Sequence, residues 1–131
     1  MDLQKNRGAA EAAKASKDGE VATVIYLNST SMGRGDDSLG EKLLAAFLDT
    51  LANIAPRVSH VVLVNGGVKL ACAGSPVLEQ LRNLASTGVA ILSCGTCLNH
   101  FVIKDRLQAG KVSNMMEIVE VLSNSARIIN P

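Results

Sequence analysis

The sequence predicts an α/β protein, a three-layer α/β/α sandwich built on a parallel sheet. Three observations predict it. Short aliphatic runs rich in Val and Ile are apolar throughout and do not alternate, which marks strands buried on both faces. Between them lie segments with apolar residues at helical spacing, bounded by cap and stop residues. The two kinds of segment alternate as β-α-β-α-β-α-β-α-β, the order that places helices on both faces of one sheet.

The elements follow in order. Residues 1–20 are polar, and Gly8–Ala15 is at most a transient helix of Ala, Glu and Lys. With no large apolar residue to bury, this stretch reads as a flexible tail or interdomain linker, so the domain proper is expected over 21–131. Val21–Leu27 is the first strand. Ser38-Leu39-Gly40-Glu41 has the form of a capping box, and Leu39, Leu43, Phe47, Leu51 and Ile54 share one face of the helix behind it, which Pro56 stops. Val61–Val64 is the second strand. Ser75-Pro76 sets an N-cap and a first helical proline for a helix with the stripe Val77, Leu81, Leu84, closed by Gly88 as a left-handed C-cap. Val89–Leu92 is the third strand, and a helix is expected from about Leu98 to Leu107. Val112 falls on a short fourth strand. Asn114-Met115-Met116-Glu117 opens a last helix carrying Ile118, Val119 and Leu122, and Ala126–Ile129 is the fifth strand.

Composition narrows the function. The 131 residues suit one domain, and 47% apolar against 19% charged residues excludes wholesale disorder. A net charge of +1 leaves no electrostatic footprint for nucleic acid, and one Tyr, two Phe and no Trp leave no base-stacking platform. The first twenty residues hold no apolar signal core. The stretch Asn83–Ile103 lacks charge, but Asn83, Ser86, Thr87, Ser93, Thr96, Asn99 and His100 make it unlike a membrane helix. Three cysteines, an odd number with one close pair, do not form a secreted disulfide framework. The expected setting is the reducing cytoplasm, with no membrane and no nucleic acid as partner.

In a parallel sheet the loops leaving the carboxyl ends of the strands share one edge, and ligands bind there. That edge collects Asn28–Asp37, Asn65–Gly74, Ser93–Cys97 and the turn at Ser113-Asn114-Met115, and with them all three cysteines and the cations Arg34 and Lys69. Cys94-Gly95-Thr96-Cys97 passes from strand end to helix start. Free amides there favour a thiolate, but the helix dipole alone is worth only about 0.3–1 kcal/mol, under one unit on a thiol pKa of about 8.5. Amide hydrogen bonds, or Arg34 or Lys69 on the neighbouring loops, are expected to add the rest. Cys94 is read as the nucleophile and Cys97 as a resolving thiol or second carrier. Cys72 lies on the same edge, although a lone cysteine is more often packing than chemistry. Zinc is the rival to thiol chemistry. It needs four ligands, and only Cys72, His60 and His100 are left to complete the pair, with His60 expected before the second strand on the opposite edge. Gly33-Arg34-Gly35 before a capped helix suits an anion, yet its spacing departs from a dinucleotide fingerprint, and no motif calls for a cofactor. Met32, Met115 and Met116 either line a groove to the thiols or fill the core.

With these residues in view the sequence resembles the DsrE-like sulfur-relay family, and within it the C-terminal domain of YedF-like selenium metabolism proteins. The matching pieces are Met32–Asp37 with Leu39-Gly40, Asn65–Leu70, Gly74-Ser75-Pro76, Gly88-Val89, Leu92–Leu98 and Ser113-Asn114-Met115, in order across residues 21–131. The resemblance implies a five-stranded parallel sheet, frequent homo-oligomers and a cysteine that carries persulfide sulfur between proteins. The relay cysteine matches Cys94. Relatives often lack a counterpart of Cys97. YedF-like proteins also carry an N-terminal TusA-type carrier domain, which is not in this sequence, and residues 1–20 look like the linker that would follow it.

The reading is therefore a sulfur or selenium carrier or sulfurtransferase acting through Cys94 and Cys97. Cys72, Arg34, Lys69, Gly33, Gly35, Asn65 and Met115 are expected around the substrate. Its partners would be donor and acceptor proteins, with a TusA-like carrier among them. A dithiol/disulfide redox module and a non-enzymatic metal- or anion-binding domain are the alternatives. So apolar a chain with so few aromatics is also expected to cover one face with another copy of itself.

Overall fold

The computed structural model describes residues 22–131; the expected tail, residues 1–20, lies outside them. Five strands, β1 (Thr23–Leu27), β2 (Val58–Leu63), β3 (Ala90–Cys94), β4 (Lys111–Ser113) and β5 (Arg127–Ile129), form one all-parallel sheet in the order β4-β3-β2-β1-β5. The helices are α1 (Asp37–Leu51), α2 (Leu78–Ser86), α3 (Gly95–His100) and α4 (Met115–Asn124). The chain steps from β1 to β4 in one direction and returns across the whole sheet to β5. Right-handed crossovers then place α1, α2 and α3 on one face and α4 on the other. This is the expected α/β/α sandwich with a five-stranded parallel sheet. Val24, Ile25, Val61, Val62, Leu63, Ile91 and Leu92 are all buried, as unbroken apolar strands require.

Several local expectations hold in detail. Gly88 takes φ +104° after α2, and Val77, Leu81 and Leu84 are buried beneath that helix. Asn114 caps α4 by accepting from the Glu117 amide at 2.9 Å. The α2 helix begins two residues later than expected, because Ser75 Oγ accepts from the Val77 amide in a turn that carries Pro76.

Four expectations are corrected. The cap of α1 is Asp36, whose Oδ1 accepts from the amides of Ser38 (2.9 Å) and Leu39 (3.1 Å) and from the Ser38 hydroxyl. A carboxylate is a stronger acceptor at a helix N-terminus than the Ser38 hydroxyl, and these bonds hold its pKa below the usual carboxylate value. The buried face of α1 is Gly40, Leu44, Leu48 and Leu51, while Leu39 and Leu43 are exposed. Gly40 decides this. Met32 donates to the Gly40 carbonyl at 3.0 Å, and a Cβ at position 40 would overlap Ser31 Oγ, so only that face comes close to the preceding loop. The side chain of Ile54 lies outside the described residues. The third helix starts at Gly95 and ends at His100, with Lys104–Arg106 a separate 3₁₀ turn. Val102 reverses the chain at φ +57°, where the Ile103 amide closes on the Leu98 carbonyl. His60 lies inside β2 and is buried, not before the strand. Its Nδ1 lies 2.8 Å from Ser59 Oγ, and its buried Nε2 has no partner among the described residues.

Val102 is β-branched, in the left-handed region and 82% exposed, so it carries strain without burying its side chain. Val102→Gly is expected to raise stability by about 1 kcal/mol in urea unfolding. His60 is pushed down to about 4 from 6.5, first by burial, with Glu117 opposing and Lys111 adding to the shift. The folded imidazole therefore stays neutral while the unfolded one takes a proton below about pH 6.5. Its contribution is whole above that pH and is lost as pH falls toward 4, by roughly 3 kcal/mol. His60→Val is expected to flatten that part of the stability profile. Equal pH slopes for parent and variant would refute the assignment.

Candidate functional site

The carboxyl ends of β1, β2 and β3 meet in one small region. Val64 donates to the Leu27 carbonyl at 3.0 Å, which ties the end of β2 to the end of β1. The 3₁₀ helix Asn65–Ala71 follows at once. Asn65 enters it at φ +50°, a conformation asparagine tolerates better than most residues. Gly67 passes so close to β1 that a Cβ there would overlap the Leu27 carbonyl. This turn aims the Asn65 amide outward, and it donates to Cys97 Sγ at 3.1 Å.

Cys94 is the last residue of β3 and is 2% exposed, whereas Cys97, on the first turn of α3, is half-buried. Burial pushes the Cys97 thiol up, its hydrogen bond to Cys94 pushes the same way, and the Asn65 amide pulls it down. Cys97 thus holds its proton, close beside Cys94. The Cys94 side chain takes no capping bond from the amides of α3. The helix-end stabilisation expected for this thiol is absent as a direct hydrogen bond; its neighbour supplies the contact.

The remaining candidates are distributed around this pair. Lys69 places Nζ 4.4 Å from the Phe101 ring centre in a cation–π contact and does not figure among the charges acting on Cys97. Arg34 is exposed between Gly33 (φ +83°) and Gly35 (φ +132°), and makes no ion pair among the described residues. The α1 amides that an anion would use behind these glycines are already taken by Asp36. Met115 is 55% exposed at the start of α4. Cys72 is buried, and its thiol donates to the Val68 carbonyl at 3.4 Å; burial raises its pKa and Arg106 opposes that. Lys69 and Cys72 line a cavity that neither Cys94 nor Cys97 lines. Among the described residues no three His, Cys, Asp or Glu side chains converge as a metal set. His100 lies edge-on to Phe101. Reasoning from the sequence missed Phe101 and Arg106, which carry no motif. It also had no signal that the Asn65 backbone would hold a thiol.

Fold and site together define an α/β sandwich domain with a cysteine pair at the strand-to-helix turn of its central edge. The chain belongs to the DsrE/DsrF-like family, whose model matches residues 6–131, and so is a domain of the sulfur-relay type. Three solved structures share the fold. The Escherichia coli YchN protein is 14% identical with a TM-score of 0.59, over 86% of this chain and 99% of that one. MTH1491 of Methanobacterium thermoautotrophicum is 21% identical with a TM-score of 0.64, over 86% and 100%. BT1422 of Bacteroides thetaiotaomicron is 17% identical with a TM-score of 0.57, over 83% and 94%. No curated protein matches the chain. Among the described residues no helix is long and apolar enough to cross a membrane.

Proposed function

We propose that this domain is a cytoplasmic sulfur carrier, a sulfurtransferase-like protein that holds sulfane sulfur as a persulfide on Cys94. The observation that carries the reading is the division of labour between the two thiols. Cys97 keeps its proton, is anchored by the Asn65 amide and lies beside Cys94, the buried member of the pair at the end of β3. Cys94 sulfur attacks the outer sulfur of a donor persulfide. The donor S–S bond breaks, its thiolate leaves, and Cys94 gains the sulfur. An acceptor thiolate then attacks that outer sulfur and releases Cys94. Alternatively Cys97, once deprotonated, attacks Cys94 Sγ, which expels hydrosulfide and leaves a Cys94–Cys97 disulfide. Since Cys94 is nearly buried, the donor sulfur enters beside Cys97, the partly exposed thiol of the two.

Donor and acceptor are proteins in this reading. A TusA-like carrier is one of them, and selenium in place of sulfur is the variant that the likeness to YedF-like proteins favours. The contact between the thiols also favours a second reading, a redox module that only cycles between dithiol and disulfide. The domain works as a homo-oligomer. Met116 (75%), Met115 and Val119 stand exposed on α4, the one helix over its face of the sheet among the described residues, with Ile128 exposed on β5, and such a surface is covered by another copy.

Intact mass after incubation with a persulfide donor tests the relay. The parent is expected to gain sulfur, Cys94→Ser to gain none, and Cys97→Ser to load and keep its sulfur longer. Loss of two hydrogens with no added sulfur would establish the redox module instead. Sedimentation at micromolar concentration is expected to show an oligomer that Met116→Glu with Val119→Glu reduces to monomer. A monomeric parent would refute that surface.

A further inference from the structure

Beside the cysteine pair, and not lined by either member of it, lies a cavity of about 450 Å³. That is within the roughly 300–1,000 Å³ of small-molecule sites. Its walls are apolar, from Leu44, Leu70, Val77, Phe101 and Ile103. Its charged groups are Lys69, Arg106 and Glu41, two cations against one anion. Among the described residues none of the three has an ion-pair partner, and Lys69 is held in place by the Phe101 ring instead. Cys72 closes the cavity as a thiol bonded to the Val68 carbonyl.

A largely apolar pocket in which the cations outnumber the anion by one, with none of the three charges ion-paired among the described residues, selects a ligand with an apolar body and one negative end. The guanidinium of Arg106 and the ammonium of Lys69 match a carboxylate, the first as a planar fork and the second as a point charge. We propose that this cavity is a binding site for a small organic carboxylate, with its hydrocarbon body against Leu44, Val77 and Phe101 and its charge met by Lys69 and Arg106. The site is separate from the sulfur chemistry and stands whether or not Cys94 carries sulfur.

The test is titration of the isotope-labelled full chain with butyrate, hexanoate and 3-phenylpropionate, followed by amide chemical shifts and calorimetry, with 3-phenylpropionamide as the neutral control. Saturable binding is expected for at least one carboxylate, with shifts gathered over residues 69–77 and 101–106. The amide should bind at least about tenfold more weakly, since it forfeits the charge-assisted contacts. Lys69→Met and Arg106→Met should each weaken the acid about tenfold, while Lys104→Met and Cys94→Ser leave it unchanged. Equal binding of acid and amide would overturn the proposal without recourse to any variant. So would shifts gathered elsewhere, or no saturable binding across the series.

Discussion

The contact on which the rest of the site depends is between two backbones. Where β2 ends, the chain turns back over the end of β1, with the Val64 amide on the Leu27 carbonyl and Gly67 packed where a side chain would collide with that same carbonyl. Only glycine allows this approach, because backbone cannot yield as the tip of a flexible side chain can. The close approach fixes the 3₁₀ helix Asn65–Ala71 against the sheet, and that helix carries Asn65 to the thiol of Cys97 and Lys69 to the ring of Phe101. One glycine therefore sets the positions of two functional groups on either side of it in sequence.

The three cysteines occupy different chemical settings despite sharing one edge. Burial raises the pKa of both Cys72 and Cys97, but what opposes it differs. At Cys72 the opposing influence is a distant charge, Arg106, and the thiol spends its proton on a carbonyl that cannot ionise. At Cys97 a backbone amide donates directly to sulfur, and a second thiol, Cys94, lies beside it. A thiol beside a second thiol is placed for sulfur exchange, whereas one bonded to a carbonyl is placed for structure. Proximity in sequence to the active edge groups the three thiols, and hydrogen bonding separates them.

Much of the fold was legible because it rests on patterns that survive without context. Unbroken aliphatic runs gave the strands, and Gly88 and Asn114 marked helix ends by their intrinsic backbone and side-chain preferences. What failed to show in the sequence depends on a neighbour distant along the chain. Two apolar stripes run along α1, and the choice of Leu44 and Leu48 over Leu39 and Leu43 is made by Gly40 against the Ser31–Met32 loop. The end of α3 is made by a valine at positive φ, where the pattern predicts continuation. His60 looked like a polar residue outside a strand; it sits inside one, with a ring nitrogen that has no partner among the described residues. The edge, its cysteine pair and Asn65 were visible, yet the bond from the Asn65 backbone amide to Cys97 and the Phe101 ring under Lys69 were not, since a backbone amide and a lone ring carry no motif.

The pair and the cavity share their supports. Asn65 and Lys69 belong to one 3₁₀ helix, and Cys97 lies on α3, with Phe101 as its C-cap, so both the thiol bond and the cation–π contact join the same two elements. The α3 helix is six residues long and ends in the strained turn at Val102, which makes it the less stably held of the two. A displacement of α3 that lengthens the Lys69–Phe101 contact must also change the distance from the Asn65 amide to Cys97. The thiol bond and the cation–π contact are therefore two expressions of one packing, that of α3 on the 3₁₀ helix, while the cysteine pair and the lining of the cavity remain distinct sets of residues.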